Sequence, residues 1–340
     1  MFDIHSIKRK ILRIVLIAFI SILTLGYIFL KPAFNYLSGY LSKSEQVKAN
    51  VLIVEGWLPG YALEMAYKEF EKSKYEYVIT TGLPYHDEYY GIPENGYLIF
   101  YLKNKLFDIN ESRLHSIGIN AFSELEGENR AHFNLYVNDS IVADFFVEKS
   151  KKKYRVDWKG NLKDIRTIYV QFTNDSIGDF GDRNLYVKEI IIDEKIVIPY
   201  QDNSEYDIGK LFGKNRIINN FNSSAQYARD RLLSMGIDSS LLISIPGNKV
   251  KINRTLTSAL AFRDWLKTVN INIKGINIIS MGTHTRRTWM TYNKILNEEY
   301  KIGIISLPDY NYNNSRSFRL FKTIRESLGI LYYWLILIPY

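Results

Sequence analysis

One short segment carries the side chains best suited to chemistry. Residues 278–287, Ile-Ile-Ser-Met-Gly-Thr-His-Thr-Arg-Arg, pass from an apolar run to a glycine, a histidine and two arginines, and a helix-like segment follows from Thr288. A strand that ends in glycine and leads into a helix presents polar groups at the carboxyl edge of an α/β sheet. Arginines beside free backbone N–H groups suit a phosphate or carboxylate. Taken alone, the segment also fits a solvated helix that opens with two arginines.

Two stretches of the chain predict the elements that would position this segment. Before residue 112, apolar runs and helical spacing predict a strand, a helix and a strand at residues 50–57, 61–72 and 75–80. After Phe221 the alternation returns, with helices predicted at 225–235, 255–269 and 288–299 and strands at 241–245, 276–280 and 302–306. This order implies parallel strands joined by right-handed crossovers.

Residues 114–200 carry a different pattern. The helical period disappears, and short strand-like runs are separated by polar turns such as Asn138-Asp139-Ser140. Such a series is typical of a β-sandwich. The sequence therefore predicts a doubly wound, parallel-sheet (Rossmann-like) α/β domain, residues 48–107 plus 216–340, interrupted by an all-β sandwich insert, residues 112–201.

The composition excludes some classes of site. The chain has 340 residues, which suggests more than one domain. It has no cysteine, so a disulfide framework or a thiolate metal site is impossible. The formal charge of +8 comes from lysines and arginines scattered along the chain, without a nucleic-acid-binding motif. We therefore expect no nucleic-acid partner.

The beginning of the chain predicts a membrane anchor. Lys8-Arg9-Lys10 precedes an apolar run from Ile11 to Leu30, about the 20 residues that a spanning helix needs. The positive flank predicts a cytoplasmic N-terminus within residues 1–31, a single pass through the inner membrane and extracytoplasmic main domains. The apolar run from Leu328 to Tyr340 is too short to span, and fits either a buried helix or an interfacial contact.

The carboxyl edge of the predicted parallel sheet gathers the candidate site. His284 suits a general acid or base. Glu55 suits binding of a ribose or sugar hydroxyl, orientation of a water, ligation of a metal, or pairing with an arginine. Arginine side chains and glycine backbone N–H groups suit an anion. Glu326 is a further candidate partner for one of these arginines. The predicted anion- and ligand-binding residues are Thr81, Gly82, Arg254, Thr255, Gly282, Arg286 and Arg287.

Several of these segments, in order, resemble the SanA/ElyC/YdcF family of bacterial envelope proteins. They are Val51-Leu52-Ile53-Val54-Glu55-Gly56-Trp57, Ile79-Thr80-Thr81-Gly82, Ser224-Ala225-Gln226-Tyr227-Ala228, Arg254-Thr255-Leu256-Thr257-Ser258-Ala259 and Gly282-Thr283-His284-Thr285-Arg286-Arg287. The resemblance covers residues 48–107 and 216–340. It departs from the family at Glu55-Gly56-Trp57, where a glycine-rich version is commoner. It implies a fold and an envelope location rather than a reaction.

The insert resembles calcium-dependent carbohydrate-binding modules of the xylan-binding type. The segments that carry this resemblance are Val170-Gln171-Phe172-Thr173-Asn174-Asp175 and Asp182-Arg183-Asn184-Leu185-Tyr186-Val187. In such modules, loop oxygens bind a Ca²⁺ ion that also coordinates sugar hydroxyls. Carboxylate and amide oxygens are the ligands that Ca²⁺ prefers. The predicted metal ligands are Asn174, Asp175, Asp182 and Asn184, with Asp179 in the same loop; a solvated acidic turn is the alternative.

These observations leave three functional hypotheses. The first is an envelope protein, anchored in the membrane, that binds or acts on a phosphorylated glycan or lipid-linked sugar, while the insert holds polysaccharide. The second is a non-catalytic scaffold or regulator of envelope biogenesis, since the chain has neither cysteine nor a Gly-x-Ser-x-Gly motif and its status as an enzyme is open. The third is nucleotide or S-adenosylmethionine binding. Only fold analogy supports it, since the glycine-rich dinucleotide motif that would point to such binding is missing after the first strand.

Overall fold

A computed structural model describes most of the chain after the predicted anchor. The described residues are 32–85, 88–106, 108–178, 181–211, 214–218, 221–297, 299–310 and 316–340. The prediction of a single-pass membrane location is wrong for these residues, because none of their helices is both long enough and apolar enough to cross a membrane. The run from Ile11 to Leu30, on which that prediction was based, lies outside the described residues.

Five parallel strands form one sheet with helices beside it. The sheet and its helices contain α1 (residues 32–41), β1 (Val51–Glu55), α2 (Gly60–Ser73), β2 (Tyr77–Gly82), α4 (Ser224–Met235), β16 (Leu242–Pro246), α5 (Arg254–Leu266), β17 (Ile276–Met281), α6 (Thr285–Ile295), β18 (Ile302–Leu307) and α7 (Arg316–Ile336). The order of the strands in the sheet is β16-β2-β1-β17-β18. Val51 of β1 pairs with Tyr77 of β2 on one side and with Ile276 of β17 on the other.

The central strand β1 is buried on both faces. Leu52 and Val54 join one apolar core with residues of α2 and α4. Val51 and Ile53 join a second core with residues of α5, α6 and α7. Successive side chains of a strand point to opposite faces, so a continuous apolar run requires helices on both sides of the sheet.

The residues between β2 and α4 form antiparallel sheets. We call residues 88–218 the β region. It contains β3 (Tyr90–Ile92), β4 (Gly96–Tyr101), α3 (Lys103–Leu106), β5 (Ser112–Ser123), β6 (His132–Val137), β7 (Ser140–Phe146), β8 (Lys152–Asn161), β9 (Thr167–Phe172), β10 (Ile177–Gly178), β11 (Gly181–Asp182), β12 (Leu185–Ile192), β13 (Ile196–Pro199), β14 (Ser204–Leu211) and β15 (Lys214–Ile218). Two of the sheets share apolar residues with the α2 and α4 core. Their strand orders are β13-β12-β5-β8, with β3 beside β12, and β15-β14-β4-β9-β6-β7.

The chain enters and leaves the β region at one place. Pro84 and Ser223 form an antiparallel bridge, and the backbone N–H of Tyr85 donates to the oxygen of Asn222 over 2.9 Å. The sheets include β3, β4, β14 and β15, which lie outside the predicted insert boundaries of 112 and 201. The boundaries predicted from sequence remain predictions, whereas the antiparallel pairing of these four strands is observed.

The C-terminal apolar run is only half buried. Tyr333 and Leu337 of this run are buried against the α5 and α6 side of the sheet. Leu328, Leu331 and Trp334 are exposed. The run therefore supplies a packing face and an uncovered apolar face within the same helical segment.

We expect Gly56→Ala to lower the free energy of unfolding by about 1–3 kcal/mol or more. A Cβ atom at Gly56 would lie 2.4 Å from the backbone oxygen of Ser224 and 2.8 Å from that of Thr81, so the ends of β1, β2 and α4 would have to separate. Gly39→Ala is the matched control, because a Cβ there meets nothing within 4 Å and alanine favours a helix. Equal urea midpoints for the two variants would contradict the expectation.

Candidate functional site

A buried histidine lies between two carboxylates at the carboxyl edge of the parallel sheet. His284 Nδ1 is 3.3 Å from Glu326 Oε2, and His284 Nε2 is 3.8 Å from Glu55 Oε1. Glu55 ends β1, His284 follows β17, and Glu326 comes from α7. All three are buried, and a buried charged group needs an opposite charge or hydrogen bonds. We call these three residues the histidine cluster.

Arg287 supplies positive charge to this cluster. Its Nε lies 3.0 Å from Glu326 Oε2, and its Nη2 lies 3.2 Å from Glu326 Oε1. The same Nη2 donates to His284 Nδ1 over 2.7 Å. Burial alone raises the pKa of Glu326, but the charges of His284, Arg287 and Arg325, with the hydrogen bond to His284, outweigh it and lower the pKa to about 2. Glu326 is therefore an anion across the physiological range.

Neighbouring hydroxyls complete the surroundings of His284. Thr255 Oγ1 is 3.4 Å from His284 Nε2, and Thr288 Oγ1 donates to Glu55 Oε1 over 3.2 Å. Glu55 Oε2 is buried and has no hydrogen-bond partner among the described residues. A half-exposed Trp57 meets the imidazole edge-on, with ring centroids 5.2 Å apart. The unused carboxylate oxygen is a ready acceptor for a water or a ligand hydroxyl.

The two predicted arginines of α6 point to different partners. Arg287 reaches the histidine cluster, whereas Arg286 donates from Nε to the backbone oxygen of Tyr40 and lies over the Tyr40 ring, 3.5 Å from its centroid. Arg286 therefore fastens α1 to α6. Arg254 is the first residue of α5, next to Thr255, and is exposed.

The remaining predicted residues line the same strand ends. Thr81 Oγ1 lies 3.2 Å from the hydroxyl of Tyr292, and burial raises the pKa of that tyrosine. Gly82 ends β2, where a Cβ would collide with Ser224 Oγ at 2.2 Å. Gly282 has φ +52°, which favours glycine, and starts the turn that carries His284.

Sequence reasoning missed three polar residues at this edge. Thr288 is hydrogen-bonded to Glu55, and Tyr292 is hydrogen-bonded to Thr81. Asp309 is buried after β18, where it forms an ion pair with Lys322. Asp309 follows a predicted strand in the same way as the predicted site residues, so its position gave a usable signal. Thr288 and Tyr292 lie within a helix, where only the helical phase shows which side chains face the sheet.

The predicted calcium loop is partly described. The side-chain amide of Asn174 is hydrogen-bonded to backbone groups. Its Oδ1 accepts from the N–H of His132 over 2.7 Å, and its Nδ2 donates to the backbone oxygen of Arg130 over 3.0 Å. Asp175 is partly buried, and its N–H donates to Asn95 Oδ1; Asn184 is buried. Asp179 and the side chain of Asp182 lie outside what the structure describes. The loop therefore keeps carboxylate and amide oxygens that suit Ca²⁺, while Asn174 has a structural role.

A second group of possible metal ligands lies at the other end of β12. Glu111, His115 and Asp193 offer atoms within 4.8 Å of one another. However, His115 Nδ1 lies 2.8 Å from Asp193 Oδ2 and Nε2 lies 3.1 Å from the backbone oxygen of Glu111, while Arg113 pairs with both carboxylates. The guanidinium already supplies the positive charge here, so this group is satisfied without a metal ion.

Comparison with known proteins adds a partial likeness to two solved structures. One solved structure, vCBM60, is described under two families of calcium-dependent carbohydrate-binding modules linked by circular permutation; it is 18% identical over 32% of this chain and 92% of its own, with a TM-score of 0.21. The CBM36-1 domain of a multidomain xylanase from the hindgut metagenome of Trinervitermes trinervoides is 14% identical over 29% of this chain and 73% of its own, with a TM-score of 0.20.

No protein-family model and no curated protein matches the chain. Two carbohydrate-binding modules, the first described as calcium-dependent, thus match part of the chain at low TM-score. The resemblance to the SanA/ElyC/YdcF family stays a prediction.

Proposed function

We propose that the α/β domain hydrolyses a phosphorylated sugar by acid–base catalysis, and that the β region binds the glycan that carries it. The observation that carries the proposal is His284, buried between Glu326 and Glu55 at the carboxyl ends of β1 and β17. Ligands of open α/β sheets lie at this edge, and a histidine held by a carboxylate is suited to move a proton near neutral pH.

Positive charge beside His284 supports an anionic substrate. The contact between Thr255 and His284 Nε2 brings the first turn of α5 to the imidazole, and Arg254 is exposed at the start of that turn. The N-terminus of a helix attracts anions, and an arginine holds phosphate bidentately. A phosphate on Arg254 and the α5 N-terminus would lie next to the proton-transferring nitrogen.

The residues divide the proton transfers as follows. For His284 to act as a base, its proton must lie on Nδ1 and point at Glu326, so Arg287 Nη2, which donates to Nδ1 over 2.7 Å here, must shift to Glu326 Oε1. His284 then accepts at Nε2 the proton of a water that attacks phosphorus. The phosphorus–oxygen bond to the sugar breaks, and His284 returns the proton to the leaving sugar oxygen. Glu55 Oε2 holds the water or a sugar hydroxyl, since it has no partner among the described residues.

In the β region, Asp175, Asp182 and Asn184 would hold a Ca²⁺ ion. Bound there, the ion would coordinate vicinal sugar hydroxyls. The residues themselves keep the loop in place: the Arg183 guanidinium donates to the backbone oxygens of Asn129 and Asn174. This calcium-dependent contact is the proposed means of retaining a polysaccharide.

Phosphate release from a panel of sugar phosphates tests the proposal. We expect His284→Gln to lower the rate about 10²–10⁴-fold, the usual contribution of a positioned acid–base group. His132→Gln is the matched control, because His132 lies in the β region on β6. Circular dichroism of both variants checks the fold. An unchanged rate in folded His284→Gln would contradict the role of His284, and a wild type that releases no phosphate would leave a non-catalytic scaffold as the function.

A further inference from the structure

The outward face of the six-stranded sheet in the β region is unusually rich in tyrosine and amide side chains. Burial alternates along β4, β6 and β9, so that Leu98, Leu135 and Val170 face the core and their neighbours face outward. The outward residues form two rows across five strands. The first row is Asp207, Tyr97, Gln171, Asn134 and Asp144; the second is Glu205, Ile99, Tyr169, Tyr136 and Ile141. We call these rows the tyrosine face.

Three rings on this face are held in fixed relative positions. The ring centroids of Tyr97 and Tyr169 are 6.5 Å apart, those of Tyr136 and Tyr169 are 5.9 Å apart, and those of Tyr97 and Tyr136 are 6.3 Å apart. Each ring is only partly buried. Tyrosine offers a large apolar surface together with a hydroxyl, which suits a ligand whose own surface alternates between C–H groups and hydroxyls.

Gln171 fixes the polar groups between the rings. Its Nε2 donates to the Tyr97 hydroxyl over 2.8 Å, and its Oε1 accepts from the Tyr136 hydroxyl over 2.9 Å and from Asn134 Nδ2 over 3.0 Å. The hydroxyls and the amide are therefore oriented in advance, which reduces the entropy lost when a ligand binds.

A cavity of about 240 Å³ adjoins the first row. Asn95, Tyr97, Gln171 and Thr173 contribute polar groups to its wall, and Asn95 also contacts the backbone of Asp175 in the predicted calcium loop. The tyrosine face thus leads into a recess next to that loop. A linear ligand that crosses the rings would reach the recess without leaving the surface.

The charges of the two rows restrict the ligand. Both rows contain carboxylates at one end, Asp207 and Glu205, and the first row also ends in Asp144; neither row contains lysine or arginine. Such a surface repels phosphate and carboxylate groups, unlike the edge of the α/β sheet. The geometry points to an uncharged polysaccharide, stacked on Tyr97, Tyr136 and Tyr169 and bound without calcium. This inference rests on the proposed function of the β region as a glycan-binding part of the protein.

Affinity electrophoresis in gels containing xylan, mannan or mixed-linkage β-glucan tests the inference, with and without EDTA. We expect retardation that persists in EDTA, and a loss of about 10-fold in affinity for Tyr97→Ala and for Tyr169→Ala. Tyr36→Ala, which removes a tyrosine ring that is 78% exposed on α1, is the control and should bind like the wild type. Tyr169→Phe should retain most of the affinity, because it keeps the ring.

The outcomes separate this face from the calcium loop. Binding that EDTA abolishes and that Tyr97→Ala and Tyr169→Ala leave unchanged would overturn the tyrosine face while supporting the loop. Binding that Asp175→Ala leaves unchanged but both tyrosine variants weaken would support the face. A wild-type protein retarded by none of the three polysaccharides would overturn the inference, whereas phosphate release would still report on the α/β domain.

Discussion

Replacing Glu94 with alanine is expected to lower the free energy of unfolding by about 3–5 kcal/mol, the usual effect of removing one partner of a buried ion pair. Glu94 lies between β3 and β4, and its Oε1 is 2.9 Å from Nε of Arg231, which is 4% exposed on α4. The hydroxyl of Tyr227 donates to Glu94 Oε1, and that of Tyr206 donates to the backbone oxygen of Glu94, which the variant keeps. The variant would leave a buried guanidinium and a buried hydroxyl without these partners.

Glu64→Ala is the matched control for this prediction. Glu64 Oε1 is also near Arg231, but at 3.5 Å from Nη2 and with a more exposed side chain, so we expect a loss below about 1 kcal/mol. Urea unfolding of both variants gives the two free energies. A Glu94→Ala variant within about 1 kcal/mol of the wild type would show that the β region docks on α4 through apolar contacts alone.

The second large effect is a loss of stability in acid that depends on Glu326. Its pKa is about 2 in the folded protein against 4.5 for an unperturbed glutamate. Because the folded pKa is the lower one, the stabilisation is complete above about pH 4.5 and is lost as the pH falls towards 2. The shift corresponds to roughly 3 kcal/mol. Urea unfolding between pH 6 and pH 2.5 should show most of this decline.

Glu326→Gln isolates that contribution. The variant should be less stable than the wild type at pH 6, and the difference should narrow as the pH falls, since the wild type loses the same charge. Glu76→Gln is the comparison, because the pKa of Glu76 is also lowered, by hydrogen bonds from Lys274 and Asn50, but its carboxylate is exposed. A constant difference between wild type and Glu326→Gln across this range would contradict the prediction.

The meeting of Glu55 and His284 follows from patterns that the sequence displays. Each comes at or just after an apolar run, and parallel strands bring their carboxyl ends to one edge. These patterns do not show which of the two arginines, Arg286 or Arg287, reaches the histidine cluster. Adjacent helical residues point about 100° apart, and the phase of α6 depends on where the turn at residues 282–284 stops. Thr285, the first residue after that turn, donates from Oγ1 to the backbone oxygen of Leu41, a partner that is far away in the sequence.

The extent of the β region was harder to predict for a similar reason. Gly96–Tyr101 alternates as a strand should, but its partners β9 and β14 come from far along the chain. A pattern of period two shows that a strand exists and which face is apolar, not which strand it pairs with. The tyrosine face is a product of that pairing, since Tyr97, Tyr169 and Tyr136 come from three different strands.

The chain enters and leaves the β region at one place, and this affects how the protein folds during its synthesis. During synthesis β1 emerges with β2, while its other neighbour, β17, follows only after the whole β region. Domains generally fold as units while the chain is elongating. Once the β region has folded, the hydrogen bond from Tyr85 to Asn222 places the outgoing chain beside the incoming one. Folding of the β region has then already closed that long loop, so no further loss of chain entropy is needed to bring its ends together. As a result, α4 begins next to the paired strands β1 and β2.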